Sequence, residues 1–185
     1  MSFITTPLKD VLVFEPKVFE DNRGYFFESY NEKLFKQQSI DFRWVQDNQS
    51  SSSYGVIRGL HYQLNPYAQV KLVRALVGEI LDVVVDIRRG SPTYGKHYAV
   101  ELSAKNKKQL FIPAGFAHGF SVLSEKAEVL YKCNEFYNKE TEAGIIYNDP
   151  VLGIDWRIPV GKEVVSDKDK LLPSLVGCTT NFEYK

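Results

Sequence analysis

Val56-Ile57-Arg58-Gly59-Leu60-His61-Tyr62-Gln63 is a short apolar run that carries one guanidinium, one imidazole and a glycine between them. Its β-branched and aromatic residues predict a strand. Strict alternation would send Arg58 and His61 to opposite faces. A bulge at Gly59 would bring them to one face, because glycine accepts the backbone conformations that bulges require. Histidine titrates near neutrality and carries protons, and arginine offers a planar fork to phosphate or carboxylate. Taken alone, the run reads as a strand with a structural histidine; the rest of the chain shifts that balance.

Downstream, residues 69–76 and 79–87 predict a hairpin turning at Val77-Gly78. Alternation then places Lys71, Val73, Ala75, Ile80, Asp82, Val84 and Asp86 on one face. Leu72, Leu76, Leu81, Val83, Val85 and Ile87 take the other. Lys71 and Asp82 would be diagonal neighbours, roughly 7–8 Å apart. A second hairpin, 121–123 with 127–133, would set His118 opposite Tyr131. Upstream, residues 11–15, 25–30 and 42–48 read as strands, and 50–55 as a polar loop. Asn31 is the expected cap of a helix over 32–38. Residues 98–103 and 110–112 add strands. Past Phe136 the pattern becomes irregular, with Trp156 in segments that would wrap the body of the fold. The ordered part closes near Pro173, and 176–185 is expected to be a flexible tail. Many short strands at roughly 8–12-residue spacing predict an all-β sandwich or jelly roll with a few short peripheral helices, a single domain over 1–185.

Composition narrows the function classes. The 185 residues carry 23 basic and 23 acidic side chains, so no broad positive field exists to hold nucleic acid. Only Cys133 and Cys178 are present, with no cysteine–histidine metal spacing, which favours a reducing cytoplasm. The N-terminus lacks the basic and apolar regions of a signal peptide, and no run has the length of a membrane span.

Arg58, His61, Lys71, Asp82, Asp86, His118 and Tyr131 are all polar groups embedded in apolar strands. Charged groups in such strands are exposed, paired or functional. The economical expectation is that they line the mouth of one cavity. They supply a base, an ammonium that can face an oxyanion, and a phenolic acid. No nucleophile elbow, P-loop or Rossmann glycine fingerprint is present. This kit suits proton abstraction beside a carbonyl followed by reprotonation, that is, epimerisation or isomerisation. Pro113-x-Gly115-x-x-His118 also matches the second half-motif of metal-binding cupins. The usual His-x-His partner is replaced by His61-Tyr62-Gln63, so no metal is expected. A metal-dependent cupin and a non-catalytic sugar-binding cupin stand as rivals.

Arg58-Gly59-Leu60-His61-Tyr62-Gln63, Lys71-Leu72-Val73-Arg74, Val85-Asp86-Ile87-Arg88, the run from Pro113 to Phe120 and Leu130-Tyr131-Lys132 together resemble the dTDP-4-dehydrorhamnose 3,5-epimerases. The resemblance runs from about Pro7 to Pro173. It implies a homodimeric cupin-type jelly roll that needs no metal or cofactor and acts on a nucleotide sugar. Position by position, it implies His61 as base and Asp169 as the dyad partner of that imidazole. Tyr131 becomes the returning acid, Lys71 the group at the C4 oxygen and His118 the second imidazole. Arg23, Glu28, Gln46, Asp47, Asn48, Arg58, Glu142 and Lys168 match nucleotide and diphosphate contacts, some of them expected from a dimer partner. A C3-only epimerase or a ketoisomerase on a related sugar would carry nearly the same kit.

Overall fold

The computed structural model describes residues 1–184. Two β-sheets face each other. The first runs in the order β1 (Ser2–Thr5), β2 (Leu12–Glu15), β10 (Gln109–Ile112), β7 (Lys71–Val77), β12 (Lys126–Cys133), β5 (Gln46–Ser53). The second runs β13 (Glu142–Gly144), β6 (Val56–Gln63), β11 (Phe116–Val122), β8 (Glu79–Asp86), β9 (His97–Ser103), with β14 (Val164–Val165) alongside β6. A separate ribbon joins β3 (Phe19–Asp21) to β4 (Gly24–Phe26). The result is the expected all-β jelly roll, with α1 (Glu32–Lys36) and α2 (Asp167–Lys170) as short peripheral helices.

Alternation explains the layers. Val73, Ala75, Ile80, Val84, Leu110 and Val129 point between the sheets and form the inner core. Leu81, Val83, Val85 and Ile87 point outward from the second sheet and are covered by Ile145, Leu152, Trp156 and Phe182. Leu72 points outward from the first sheet, where Phe14, Phe35 and Phe111 cover it. Asn31 caps α1 by accepting from Leu34 N–H, as the sequence predicts, and buries Phe35 among Phe3, Phe14 and Tyr30.

Three expectations are corrected. First, neither predicted hairpin exists. β7 pairs with β10 and β12, whereas β8 pairs with β9 and β11; β12 pairs with β5 and β7. At Gly78 and again after Val122 the chain crosses from one sheet to the other. The two corners are pinned together, with Glu79 N–H donating to Ser124 Oγ and Leu123 N–H to the Glu79 carbonyl. A side chain at 78 would collide with the Lys126 carbonyl, so the corner needs glycine. Lys71 and Asp82 therefore face one another from opposite sheets rather than as diagonal neighbours, and so do His118 and Tyr131. Second, residues 50–53 are strand, not loop: β5 continues to Ser53, paired with β12. The strand expected over 42–48 begins only at Gln46, and that over 25–30 ends at Phe26. Third, the tail is packed. Thr180 Oγ1 donates to the Ile87 carbonyl, Tyr62 OH to the Thr179 carbonyl, and Phe182 is buried. No helix among the described residues is long and apolar enough to cross a membrane.

Candidate active site

The bulge in β6 organises the site. His61 pairs with His118 and Arg58 with Phe120, so β6 spends three steps where β11 spends two. One extra residue turns Arg58 and His61 onto the same face. Gly59 has φ +126°, and a Cβ there would sit 2.5 Å from Gly119 Cα. Both glycines are required by that close approach.

A cavity of about 520 Å³ opens between the sheets, lined by Arg58, His61, Lys71, His118 and Tyr131 together with Ser50, Phe120, Val164, Ser166, Lys168 and Asp169. Thus five of the seven embedded polar groups share one cavity. Asp82 lies behind His118, and Asp86 belongs elsewhere, held by Arg88, Ser91 and Thr93.

Asp169 reaches the cavity from α2, a single turn that the sequence pattern did not reveal. Ser166 caps that turn by accepting from Asp169 N–H, which aims the carboxylate inward. One Asp169 oxygen lies 2.7 Å from His61 Nε2, and the other accepts from Gly59 N–H at 3.3 Å. Burial opposes the charge on Asp169. The contacts to His61, Gly59 and Ser166 outweigh it and hold the carboxyl below its ordinary range. An anionic Asp169 accepts Nε2–H, which leaves Nδ1 of His61 to take up a proton. His118 repeats the arrangement with Asp82, Nε2 to Oδ1 at 2.8 Å. Burial lowers the basicity of His118, against the pull of Asp82 and with the push of Lys71 and His61.

Burial, reinforced by Cys133, raises the Tyr131 phenol, although Arg58 opposes this, so the phenol keeps its proton at neutral pH. Burial also lowers Lys71, while Cys133, Asp82 and Glu142 support its charge. The Lys71 ammonium lies 5.7 Å from the centre of the Tyr131 ring. Arg58 is oriented by its Nε, which donates to Ser52 Oγ at 3.0 Å. Lys168 Nζ donates to Glu142 Oε2 at 2.6 Å, and Tyr137 OH donates to the same oxygen at 2.8 Å, across the mouth.

The other predicted contacts divide. Gln46 and Asn48 alternate inward on β5: Gln46 Nε2 donates to Asn48 Oδ1, and Asn48 Nδ2 to Cys133 Sγ. Asp47 takes the outer face and pairs with Lys132. Arg23 and Glu28 line no part of this cavity. Arg23 pairs with Asp21 on the exposed β3–β4 ribbon, and Glu28 accepts from Asn31. Two supporting residues escaped the sequence reading of the site, Ser52 and Asp82. The alternation that grouped Asp82 with Lys71 was the available signal for the second. No group of three or more His, Cys, Asp or Glu side chains that could hold a metal occurs among the described residues.

A jelly roll whose cavity holds a histidine–carboxylate dyad, a protonated phenol and a buried ammonium defines an acid–base enzyme of the cupin-like class. The comparisons make the class specific. The family model for dTDP-4-dehydrorhamnose 3,5-epimerase matches residues 5–176. The Shigella flexneri dTDP-4-dehydrorhamnose 3,5-epimerase is 57% identical over 91% of this chain and 93% of its own. The crystal structure of the Elizabethkingia anophelis enzyme is 53% identical, with a TM-score of 0.90, covering 94% of this chain and 96% of its own. The Legionella pneumophila epimerase, solved with dTDP-4-keto-L-rhamnose, is 46% identical with a TM-score of 0.93, covering 100% and 98%. The chain belongs to the dTDP-4-dehydrorhamnose 3,5-epimerase family, and it is an isomerase.

Proposed function

We propose that the chain epimerises dTDP-4-dehydro-6-deoxy-D-glucose at C3 and C5 to give dTDP-4-dehydro-L-rhamnose, a step in supplying dTDP-rhamnose for surface polysaccharide. The observation that carries this reading is the 2.7 Å contact of His61 with Asp169 at the wall of a cavity shared with Tyr131 and Lys71. C3 and C5 both flank the C4 ketone, so one carbonyl acidifies both protons. His61 Nδ1 removes each in turn, and Asp169 offsets the imidazolium charge that results. Electron density moves to the C4 oxygen, where Lys71 stabilises the enolate. Tyr131, from the opposite sheet, returns a proton to the other face of the ring, which inverts the centre. Phenolate and imidazolium then exchange the proton through solvent. His118, neutral and donating Nε2–H to Asp82, presents Nδ1 as an acceptor for a sugar hydroxyl.

Arg58 and Lys168 hold the diphosphate, a remote handle that keeps the ring in register for two successive inversions. Gln46, Asn48 and Glu142 border the same opening. Arg23, Glu28 and Asp47 lie outside this chain's cavity, which is consistent with Arg23 and Glu28 completing the site of a second copy in a homodimer. A cytoplasmic setting fits the two free cysteines. Incubation with the substrate in heavy water tests the reaction: deuterium at C3 and C5 is expected. Label at C3 alone would make this a C3 epimerase, and none at all a binding protein.

A further inference from the structure

Asp82 has no exposed surface, yet only one of its oxygens is used. Oδ1 holds His118 Nε2, and Oδ2 is buried without a hydrogen-bond partner. Leaving such an oxygen unmet costs about 1–3 kcal/mol, more for a charged group. Its strand neighbours on that face, Ile80 and Val84, belong to the apolar inner core. Lys71 comes from the opposite sheet, and its ammonium interacts electrostatically with this carboxylate. A carboxylate sited there serves no packing need, because a leucine would fill the layer without an unmet acceptor.

We propose that Asp82 is a positioning residue for the reaction, fixing His118 as an acceptor toward the cavity and supplying the counter-charge that holds Lys71 as an ammonium beside the C4 oxygen. The groups that face Lys71 are Cys133 and Tyr131 from β12, Asp82 from β8, His118 from β11 and Glu142 from β13. Cys133 lies directly across the strand pair from Lys71, and burial keeps its thiol protonated. Glu142 is already bonded to Lys168 and Tyr137 at the mouth. Asp82 is therefore the one carboxylate of this set whose second oxygen is uncommitted. Burial works against a charged Lys71, and Asp82 works for it.

The inference rests on Lys71 as the enolate stabiliser, and the test separates the two. Asp82→Asn keeps the size and the acceptor for His118 but removes the charge. In the full-length protein, carbon-13 lysine NMR follows the titration of Lys71, assigned by its absence in Lys71→Met. The expected result is Lys71 deprotonating about one pH unit or more lower in Asp82→Asn, roughly a tenfold change in its proton affinity. The alkaline limb of kcat for solvent exchange should move with it, with KM changed less than about twofold on the view that Asp82 touches no substrate. Asp82→Glu, which restores the charge, should recover part of the shift. A Lys71 titration that stays in place, with kcat lowered evenly at all pH, would make Asp82 merely structural and overturn the inference. If Asp82→Asn does not fold, nitrogen-15 histidine NMR of Lys71→Met decides: His118 should titrate higher once Asp82 no longer shares its charge, and an unmoved His118 overturns the inference. Lys71→Met retaining full exchange would instead remove Lys71 from the reaction, whatever its titration shows.

Discussion

Asp82 and Asp86 lie on one face of one strand, and neither has any exposed surface. Their surroundings could hardly differ more. Asp86 accepts from Arg88 Nε and backbone N–H on one oxygen, and from Arg88 Nη2, Ser91 and Thr93 on the other. Arg88 is itself held by Asp10 and lies against the rings of Phe116 and Tyr184. These contacts hold the Asp86 carboxyl below its usual range in spite of burial, which pushes the other way. Asp82 has a single bond to a histidine and an idle oxygen. Burial alone therefore does not mark a functional carboxylate in this fold. Spare hydrogen-bonding capacity beside a cavity does, because a fully satisfied group has nothing left to offer a substrate or its neighbours.

Breaking each side of this contrast should give opposite phenotypes. On the cavity side, Lys71→Met should lower kcat for exchange by on the order of 10²–10³ while the thermal midpoint holds or rises, since a buried ammonium is removed. Tyr131→Phe should lower completed inversion by roughly 10²-fold or more while exchange into substrate falls less; stopped-time product analysis in heavy water reads both. On the Asp86 side, Asp86→Ala should cost about 3–5 kcal/mol in urea unfolding by stranding Arg88, with kcat per folded molecule unchanged. A large kcat loss there would blur the distinction drawn between the two aspartates.

The pH response sharpens the same contrast. Asp86 and Asp169 are depressed carboxyls, so the stability they contribute is complete above the unfolded value near 4 and is lost as pH falls through their lower folded values. Thermal midpoints should drop below about pH 4, and Asp86→Asn should flatten that acid limb. Lys71 has the opposite sign. Its lowered folded value means that the unfolded chain binds the extra proton, so stability contributed at this site rises as pH climbs toward its ordinary value near 10. The smallest effect is expected from Ser52→Ala. Loss of the Arg58–Ser52 bond, about 0.5–1.5 kcal/mol, should weaken dTDP binding by roughly 2- to 10-fold in calorimetry.

Local chemistry was legible in the sequence, and partnership between strands was not. The Gly59 bulge, the Asn31 cap and the inner and outer faces of β7 and β8 all follow from side-chain type and a period of two. A tight turn between apolar strands looks the same whether the strands pair or part to opposite sheets. The corners at Gly78 and near Ser124 were therefore read as hairpins. The 50–53 stretch was read as loop because its inward serines face a polar cavity, where no apolar alternation is needed. A four-residue helix such as α2 has too few positions to show a period, so Asp169 came from family resemblance. The packed tail rests on scattered contacts of Thr180 and Phe182 that no local pattern encodes.

The account turns on His61 as the group that takes hydrogen from the carbons flanking the ketone. The direct measurement is substrate incubation in deuterated solvent with the native protein and with His61→Asn, followed by mass and NMR analysis at C3 and C5. Deuterium at both carbons for the native protein, and at neither for His61→Asn with dTDP affinity retained, is the predicted result. Label entering either carbon at the native rate in His61→Asn would contradict it.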